Sequence, residues 1–378
     1  MWRIEIHPSI LTIGPLKWSK ISDPSFPFTS YHFLAAMETS DCVGERTGWF
    51  PQFIGLWEGE ELLGALVFYL KTNSYGEYIF DFAWSEAYQR YGLPYYPKLT
   101  SAVPFTPATG PKLLVRPGAD ARAIGEALLK AGETLAEKCQ AHSEHALFVP
   151  KDQHQIYESA GFFLRDSFQY HWHNSNFTDF ASFTATLRSK RRKEILRERN
   201  QVASAPIKIR RILGDQLKAS DAETFYRFYL STIEKRSSYD YLTEGFFQTV
   251  FKDLKENILL VQAEDQAGEP VAAALYFFGD QILFGRNWGC LAEYKALHFE
   301  LCYYQGIEFA IEKGLKRFEA GAQGEHKFQR GFMPSLTYSA HKIQHPQMNR
   351  AIQDHVRFER KEIEKLFEHY QGHSPFRA

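Results

Sequence analysis

The densest set of side chains able to do chemistry lies in RFEAGAQGEHKFQRGFMP, residues 317–334. A strand there enters a loop holding Gly321, Gly324 and Gly331, and glycine lets backbone approach a ligand closely. The same stretch carries Glu319, Glu325, His326, Lys327 and Arg330. Loops at strand ends of α/β folds are where ligands bind. Lys327 and Arg330 are suited to grip an anionic group or to stabilise an oxyanion. The plainer alternative is a loop whose charges pair with one another.

A second cluster, GRNWGCLAEYKALHFELCYYQ, presents Arg286, Asn287, Trp288, His298, Glu300, Tyr303 and Tyr304. On one helix His298 and Glu300 point different ways, which argues against a dyad. Glu300 and Tyr304 share a face at four-residue spacing. Either carboxylate, Glu300 or Glu319, is a candidate to take a proton from an amine. In the first half, GEYIFDFAW and YYPKL add Glu77, Asp81 and Lys98, where a buried Asp81–Lys98 salt bridge competes with a binding role. No G-x-S-x-G elbow, P-loop or G-x-G-x-x-G is present, so serine hydrolase, nucleotide hydrolase and Rossmann readings lose their best support. Cys42, Cys139, Cys290 and Cys302 are scattered without metal or redox spacing, as expected of a reducing interior. His142 with His145, or His171 with His173, would need further ligands to hold a metal.

The elements that must position these groups follow from periodicity. The segment through Thr29 reads as a surface arm, and YHFLAAMETS from Tyr31 as a short helix. FIGLWEGEELLGALVFYLK reads as two strands joined at a turn near Glu58–Glu61. EYIFDFAW is expected as a third strand, with Tyr78, Phe80 and Phe82 alternating against Glu77, Ile79 and Asp81. GLPYYPKLTSAVPFTPATGPKLL holds five prolines and is expected as a stiff loop, a candidate cleft wall. KLLV, ALFV and FLRDSFQYHW read as strands; ARAIGEALLKAGETLAEKC and DQHQIYESAGF read as helices.

The second half repeats this order. ILLVQAEDQAGEPVAAALYFF is again strand, acidic/Gly turn, strand; QILFGRNWG is a third strand, then come a helix from Leu297 to Gly314 and the strand RFEAG. The recurrence predicts a duplicated fold. Between the halves, residues 188–199 hold seven basic and two acidic side chains, a helix that either meets phosphates or is simply solvated. The C-terminal stripe of Ile352, Val356, Ile363, Phe367 and Tyr370 reads as a docking helix. The expected organisation is therefore a first subdomain over 1–178, a basic connecting helix over 179–205 and a second subdomain over 206–378.

Composition sets the outer limits. A chain of 378 residues suits two domains. A net charge of −1, from 44 basic and 45 acidic side chains, argues against a dedicated nucleic-acid binder. The 16% aromatic content serves dense cores or polar clefts. No stretch approaches the roughly 18 apolar residues that span a bilayer, and the opening MWRIEIHPSI lacks the pattern of a secretory leader. A cytoplasmic protein is expected.

The strings TGWFPQF, SYGEYIFDFAW, YYPKL, PFTP, RSKRRKEILRERN, FGRNWG, LHFELCYYQGIEFAI and EAGAQGEHKFQRGF resemble the FemAB-like group of GNAT-type proteins, often labelled peptidoglycan biosynthesis or recognition proteins. The likeness runs from about Tyr31 to the C-terminal helix. It implies an α/β (α+β) fold of tandem GNAT-like subdomains, mixed sheets flanked by helices. Fem ligases pass amino acids from aminoacyl-tRNA to the peptide of a cell-wall precursor, and a lysine-bearing loop of the second subdomain binds substrate phosphate and assists transfer. HKFQRGF is the comparable string here, so Lys327 takes that place, with His326 where the group has an aromatic residue. IYESAGF is similar to the ending of simple GNAT enzymes, in which the tyrosine, here Tyr157, acts as general acid. Their acyl-CoA loop, Gln/Arg-x-x-Gly-x-Gly/Ala, survives only as a fragment in QRYGLP.

What the resemblance implies is an acyl or aminoacyl transferase acting on an amine, in a cleft between subdomains, by direct attack without a covalent enzyme intermediate. Lys327, Glu319 and Glu300 are the expected catalytic residues. Arg330, His326, Arg286, Trp288, Tyr304, Asp81 and Lys98 are the expected substrate contacts. No tightly bound cofactor is expected; the acyl donor is aminoacyl-tRNA or acetyl-CoA, and tRNA would be met by Arg188, Arg191, Arg192 and Lys193. An acetyl-CoA-dependent N-acetyltransferase and a noncatalytic binder of peptidoglycan or peptide are the alternatives.

Overall fold

The computed structural model describes residues 1–322 and 324–377. In chain order its strands are β1 Trp2–His7, β2 Trp49–Glu58, β3 Glu61–Lys71, β4 Lys98–Ser101, β5 Leu113–Val115, β6 Ser143–Ala146, β7 Phe163–His173, β8 Ile207–Leu213, β9 Ile258–Asp265, β10 Pro270–Phe278, β11 Ile282–Cys290, β12 Arg317–Glu319 and β13 Met333–Ile343. The helices are α1 Pro15–Trp18, α2 Tyr31–Thr39, α3 Phe82–Arg90, α4 Ala121–Lys138, α5 His154–Ser159, α6 Phe180–Ala185, α7 Ser189–Ala203, α8 Ala219–Arg236, α9 Glu244–Asp253, α10 Leu297–Phe299, α11 Gln305–Glu312 and α12 Pro346–Gly372. Among the described residues no helix is long and apolar enough to cross a membrane.

Two compact units result. The first comprises residues 1–168 and 336–366, the second residues 169–335 and 367–378. Each is a helix-flanked mixed sheet, and the two share one plan. In the first, β1, β2, β3 and β4 are successively antiparallel, β4 and β6 run parallel, and β13 closes antiparallel on β6. In the second, β8, β9, β10 and β11 are successively antiparallel, β11 and β12 run parallel, and β7 closes antiparallel on β12. Each sheet is completed by a strand from the opposite half of the chain. The duplication read from sequence is thus present in strand order as well as in hairpin pattern.

In the first unit, β2 and β3 are nearly continuous apolar runs, buried as such strands must be. Asp120 starts α4 by accepting hydrogen bonds from the backbone of Arg122 and Ala123, which satisfies two of the helix's orphan N–H groups. The apolar stripe of α4, Ile124, Leu128 and Leu135, then packs with Leu66, Phe68 and Leu99. A second cluster joins Trp84 and Tyr88 of α3 to Met348, Ile352 and Val356 of α12. That packing places the final strand and most of the last helix in the first unit, where the sequence reading assigned them to the second subdomain.

Three further expectations change. The N-terminal arm is an edge strand, β1 on β2, followed by turns that bury Ile10, Trp18 and Phe28. The proline-rich segment contains β4. EYIFDFAW is a loop leading into α3, and the third strand is instead KLTS, residues 98–101. The alternation misled because the polar set faces inward: Glu77 is 3% exposed and Phe80 50%. Lys98 repays that inversion, since its buried ammonium binds Glu77 at 2.8 Å and Asp81 more closely still.

Candidate active site in the second unit

The parallel pair β11–β12 holds register only from Ile282 opposite Arg317 to Phe284 opposite Glu319. Beyond that point β11 continues to Cys290 while β12 ends, so the two strands part. Where they part, the β10–β11 register slips, pairing Tyr276 with Gly285 but Leu275 with Asn287. Arg286 is the extra residue of this bulge, and bulges of this kind re-aim side chains near active sites. The strand's outer end is fixed from α8, whose Thr232 and Ser231 hydroxyls donate to the carbonyls of Trp288 and Cys290. Gly289 permits that approach, because a Cβ there would overlap the Phe228 carbonyl.

The loop after β12 runs through Gly321, and a short 3-10 helix spans Glu325–Arg330. It carries Lys327, whose side chain is buried, with the residue 3% exposed. The ammonium donates to the Gly321 carbonyl at 2.9 Å, and among the described residues no carboxylate lies within ion-pair distance of it. Burial without a counter-charge lowers its pKa to about 8. Where the expected role placed Lys327 in a cleft, its ammonium is buried and held by the Gly321 carbonyl.

His326 beside it is exposed and exchanges a hydrogen bond with the Tyr303 hydroxyl at 2.8 Å. Gly324 leaves room for that imidazole, since a Cβ would come within 2.7 Å of the ring. His298 lies edge-on to Trp288 at 5.1 Å and to Tyr303 at 5.5 Å. Burial, reinforced by His326 and three nearby cations, brings the His298 pKa down to about 4. Burial and the charges of Arg330 and Lys327 also lower that of His326. Both rings are therefore neutral near pH 7. The helix below is irregular, a π turn over Glu300–Tyr304 between α10 and α11; such turns recur at functional sites.

Arg330 is a brace. Its guanidinium donates to Glu198 at 2.7 Å, the Tyr304 hydroxyl at 3.0 Å and the His326 carbonyl at 2.8 Å, and it stacks 3.5 Å from the Phe299 ring centre. Tyr304 donates in turn to Glu198. Arg330 and Tyr304, expected as substrate contacts, have these donors engaged inside the protein. Glu300 accepts two hydrogen bonds from Arg199, at 3.1 and 3.0 Å, and one from Gln305 at 2.7 Å. Glu319 is buried 2.8 Å from Arg317 and opposite His171 in the sheet. Both carboxylates named as proton acceptors thus sit in ion pairs.

The structure brings Arg286, Trp288, Glu319, His326 and Lys327 to one end of the second unit's sheet. Asp81 and Lys98 belong to the first unit, in a buried cluster with Glu77, Ser74 and the Tyr95 hydroxyl. Tyr157 is wholly buried in the first unit's core against Phe162, so the role of general acid implied for it has no exposed hydroxyl to act through. Of the basic helix, Arg188 donates to the Phe376 carbonyl and Arg191 to Glu194 and Gln329, whereas Arg192 and Lys193 are without side-chain partners among the described residues. Sequence reasoning missed Glu198, the acid that fixes Arg330. Its separation of 132 residues from Arg330 left no local signal.

The profile of the FemAB-like family, described as peptidoglycan biosynthesis/recognition, matches residues 9–378. The chain belongs to this family. Among solved structures it is similar to FemX, at 10% identity and a TM-score of 0.52 over 85% of this chain and 93% of that one. It is also similar to L-PGS from Bacillus licheniformis, at 8% identity and a TM-score of 0.50 over 82% and 90%. A tandem GNAT protein from the clavulanic acid biosynthesis pathway matches at 12% identity and a TM-score of 0.44 over 91% and 99%. No curated protein sequence matches this chain. At such identities the FemX and L-PGS likenesses show that this chain shares their fold, and nothing about its substrates.

Proposed function

We propose that this FemAB-like protein transfers an acyl or aminoacyl group to an amine, with a peptide of a cell-wall precursor as the acceptor class. The observation that carries the reading is Lys327: a buried ammonium with no counter-charge among the described residues, on a glycine-rich loop where two parallel strands part. A cation so placed is held ready for negative charge that arises only during reaction. In the proposed step the amine nitrogen attacks the acyl carbonyl carbon. The carbonyl oxygen becomes an oxyanion and takes the place beside Nζ that the Gly321 carbonyl holds. The bond from carbon to the donor's oxygen or sulfur then breaks, and the leaving group takes up a proton.

Proton removal from the amine we assign to His326 rather than to Glu300 or Glu319, whose carboxylates are held by arginines. With its Nε2–H donating to Tyr303, His326 offers the Nδ1 lone pair. Trp288 and Arg286 of the bulged strand would form the wall against which the substrate rests. The donor we favour is an aminoacyl ester on RNA. The segment after β11, residues 291–296, contains no glycine, so it offers no loop of close-set N–H groups to cradle the pyrophosphate of acetyl-CoA. The test is mass-spectrometric detection of acyl transfer to muropeptide amines, supplied in turn with mixed aminoacyl-tRNA and with acetyl-CoA. The reading expects product from the first donor, reduced at least a hundredfold by Lys327→Ala. Undiminished turnover in that variant would remove Lys327 from the mechanism.

A further inference from the structure

Strand β1, Trp2–His7, forms the outer edge of the first unit's sheet, with β2 as its single strand partner among the described residues. Its register with β2 runs unbroken from Trp2 opposite Glu58 to His7 opposite Phe53. Every second pair of backbone N–H and C=O groups of β1 therefore points away from the sheet, in the geometry that accepts a further strand. Edges of this kind are usually blunted by lysine, proline or a bulge, and WRIEIH has none of the three. Instead it alternates. Trp2, Ile4 and Ile6, which are 43%, 40% and 38% exposed, lie on one face, and Arg3, Glu5 and His7 on the other. On the apolar face, Ile4 and Ile6 stand opposite Leu56 and Ile54 of β2, which are wholly buried with Ile124 and Leu128 of α4. The face that α4 covers on β2 thus continues onto β1, where it stands open to solvent.

We propose that β1 pairs with β1 of a second copy of this chain, antiparallel about a two-fold axis at Ile4. The choice of occupant rests on charge complementarity. In that register Ile4 faces Ile4 of the second copy, Trp2 faces its Ile6 and Arg3 faces its Glu5, and the axis repeats the last two pairs. Arg3 and Glu5 already lie 3.0 Å apart within one chain. With the second copy in place they complete a square of four alternating charges, while the tryptophans and isoleucines meet on the other face. A shift by two residues sets Arg3 against Arg3 or Glu5 against Glu5, which is unfavourable. A shift by one sets Ile4 against Arg3 or Glu5 and mixes the two faces. WRIEI is therefore complementary to itself in one register only. The edge strand of the second unit, β8, is built differently. Its exposed alternate residues, Lys208 and Arg210, are both positive, so two copies paired there would set cation against cation.

The interface uses none of the residues that the proposed transfer step employs, so the inference stands apart from the transferase reading. Sedimentation equilibrium with the full chain tests it at about 1–100 µM, the range in which a small specific interface dissociates. The wild type should move from monomer to dimer across that range. Arg3→Glu and Glu5→Arg each leave the square with charges of one sign, and each alone should weaken dimerisation roughly tenfold or more. Both side chains reach solvent, so the melting temperatures of the two variants should match that of the wild type. The deciding sample is their equimolar mixture. One variant then offers two acids and the other two arginines, and heterodimers should form with close to wild-type affinity. Loss of the ion pair within a chain cannot produce that rescue. Single variants that dimerise as well as the wild type would overturn the proposal, as would a mixture that stays monomeric. A wild type that remains monomeric at the highest concentration would do the same, and would leave this edge to a different chain.

Discussion

Replacing Lys327 by methionine should make the protein more stable while abolishing transfer. Burial brings the lysine from its ordinary 10.5 to about 8. At about 1.4 kcal/mol for each tenfold change in proton affinity, that displacement costs the folded state about 3 kcal/mol at neutral pH. Methionine removes the buried charge and keeps the stem's packing. It also removes the hydrogen bond to Gly321, worth about 1 kcal/mol. The net expectation is a gain of about 2 kcal/mol for Lys327→Met at pH 7. The sign of the pH dependence follows from the lowered folded pKa. The penalty is fully present below about pH 8 and disappears between 8 and 10.5, because the folded state releases its proton before the unfolded chain does. Denaturant unfolding at pH 7 and pH 10 should show the wild type gaining on the variant across that window. A Lys327→Met protein that is less stable than the wild type at pH 7, with no convergence at pH 10, would refute the claim that this ammonium is held at a cost.

Three other expectations concern the scaffold. Glu144 is buried without a hydrogen-bond partner among the described residues, and burial raises its pKa to about 7. Its raised folded pKa means stability is lost as pH climbs from about 4.5 to 7. Glu144→Gln should flatten that loss when unfolding is followed at pH 4.5 and pH 8; equal pH slopes in both proteins would contradict it. Gly289→Ala should destabilise the second unit by more than about 3 kcal/mol, since the overlap is with backbone rather than a movable side chain, and a soluble variant of unchanged melting temperature would show the approach of α8 to be looser than described. Lys98→Met should cost about 3–5 kcal/mol, the usual result of leaving buried charges unpartnered, here those of Glu77 and Asp81; thermal unfolding within a degree or two of the wild type would count against it.

Much of the architecture was legible because period and punctuation agree. The apolar runs of β2 and β3, the acidic turn between β9 and β10, and the stripe of α4 each gave their element. The failures share a cause. In EYIFDFAW the alternation was real but inverted, since a lysine on a distant strand makes the acids the inward set. β4 is four residues long and follows prolines, too short to show a period. The final strand and helix were assigned by chain order, while their contacts are with Trp84 and Tyr88. At the site, Lys327 and His326 could be singled out as candidates because glycine and charge are concentrated in one loop. The roles given to Glu300, Glu319, Arg330 and Tyr304 could not be judged from residue type, because each is decided by a partner elsewhere: Arg199, Arg317 or Glu198.

The exchange of closing strands binds the protein's synthesis and its folding together. When the ribosome has finished the first half, that half still lacks β13, and its sheet ends at β6 with an open edge beside His145 and Glu144. Meanwhile β7, already made, waits for β12. Neither half can be expected to reach its native state when expressed alone, however domain-like its hairpins look. A break in the chain near residue 178, the natural place to cut by sequence, would leave two fragments that must find each other before either is whole.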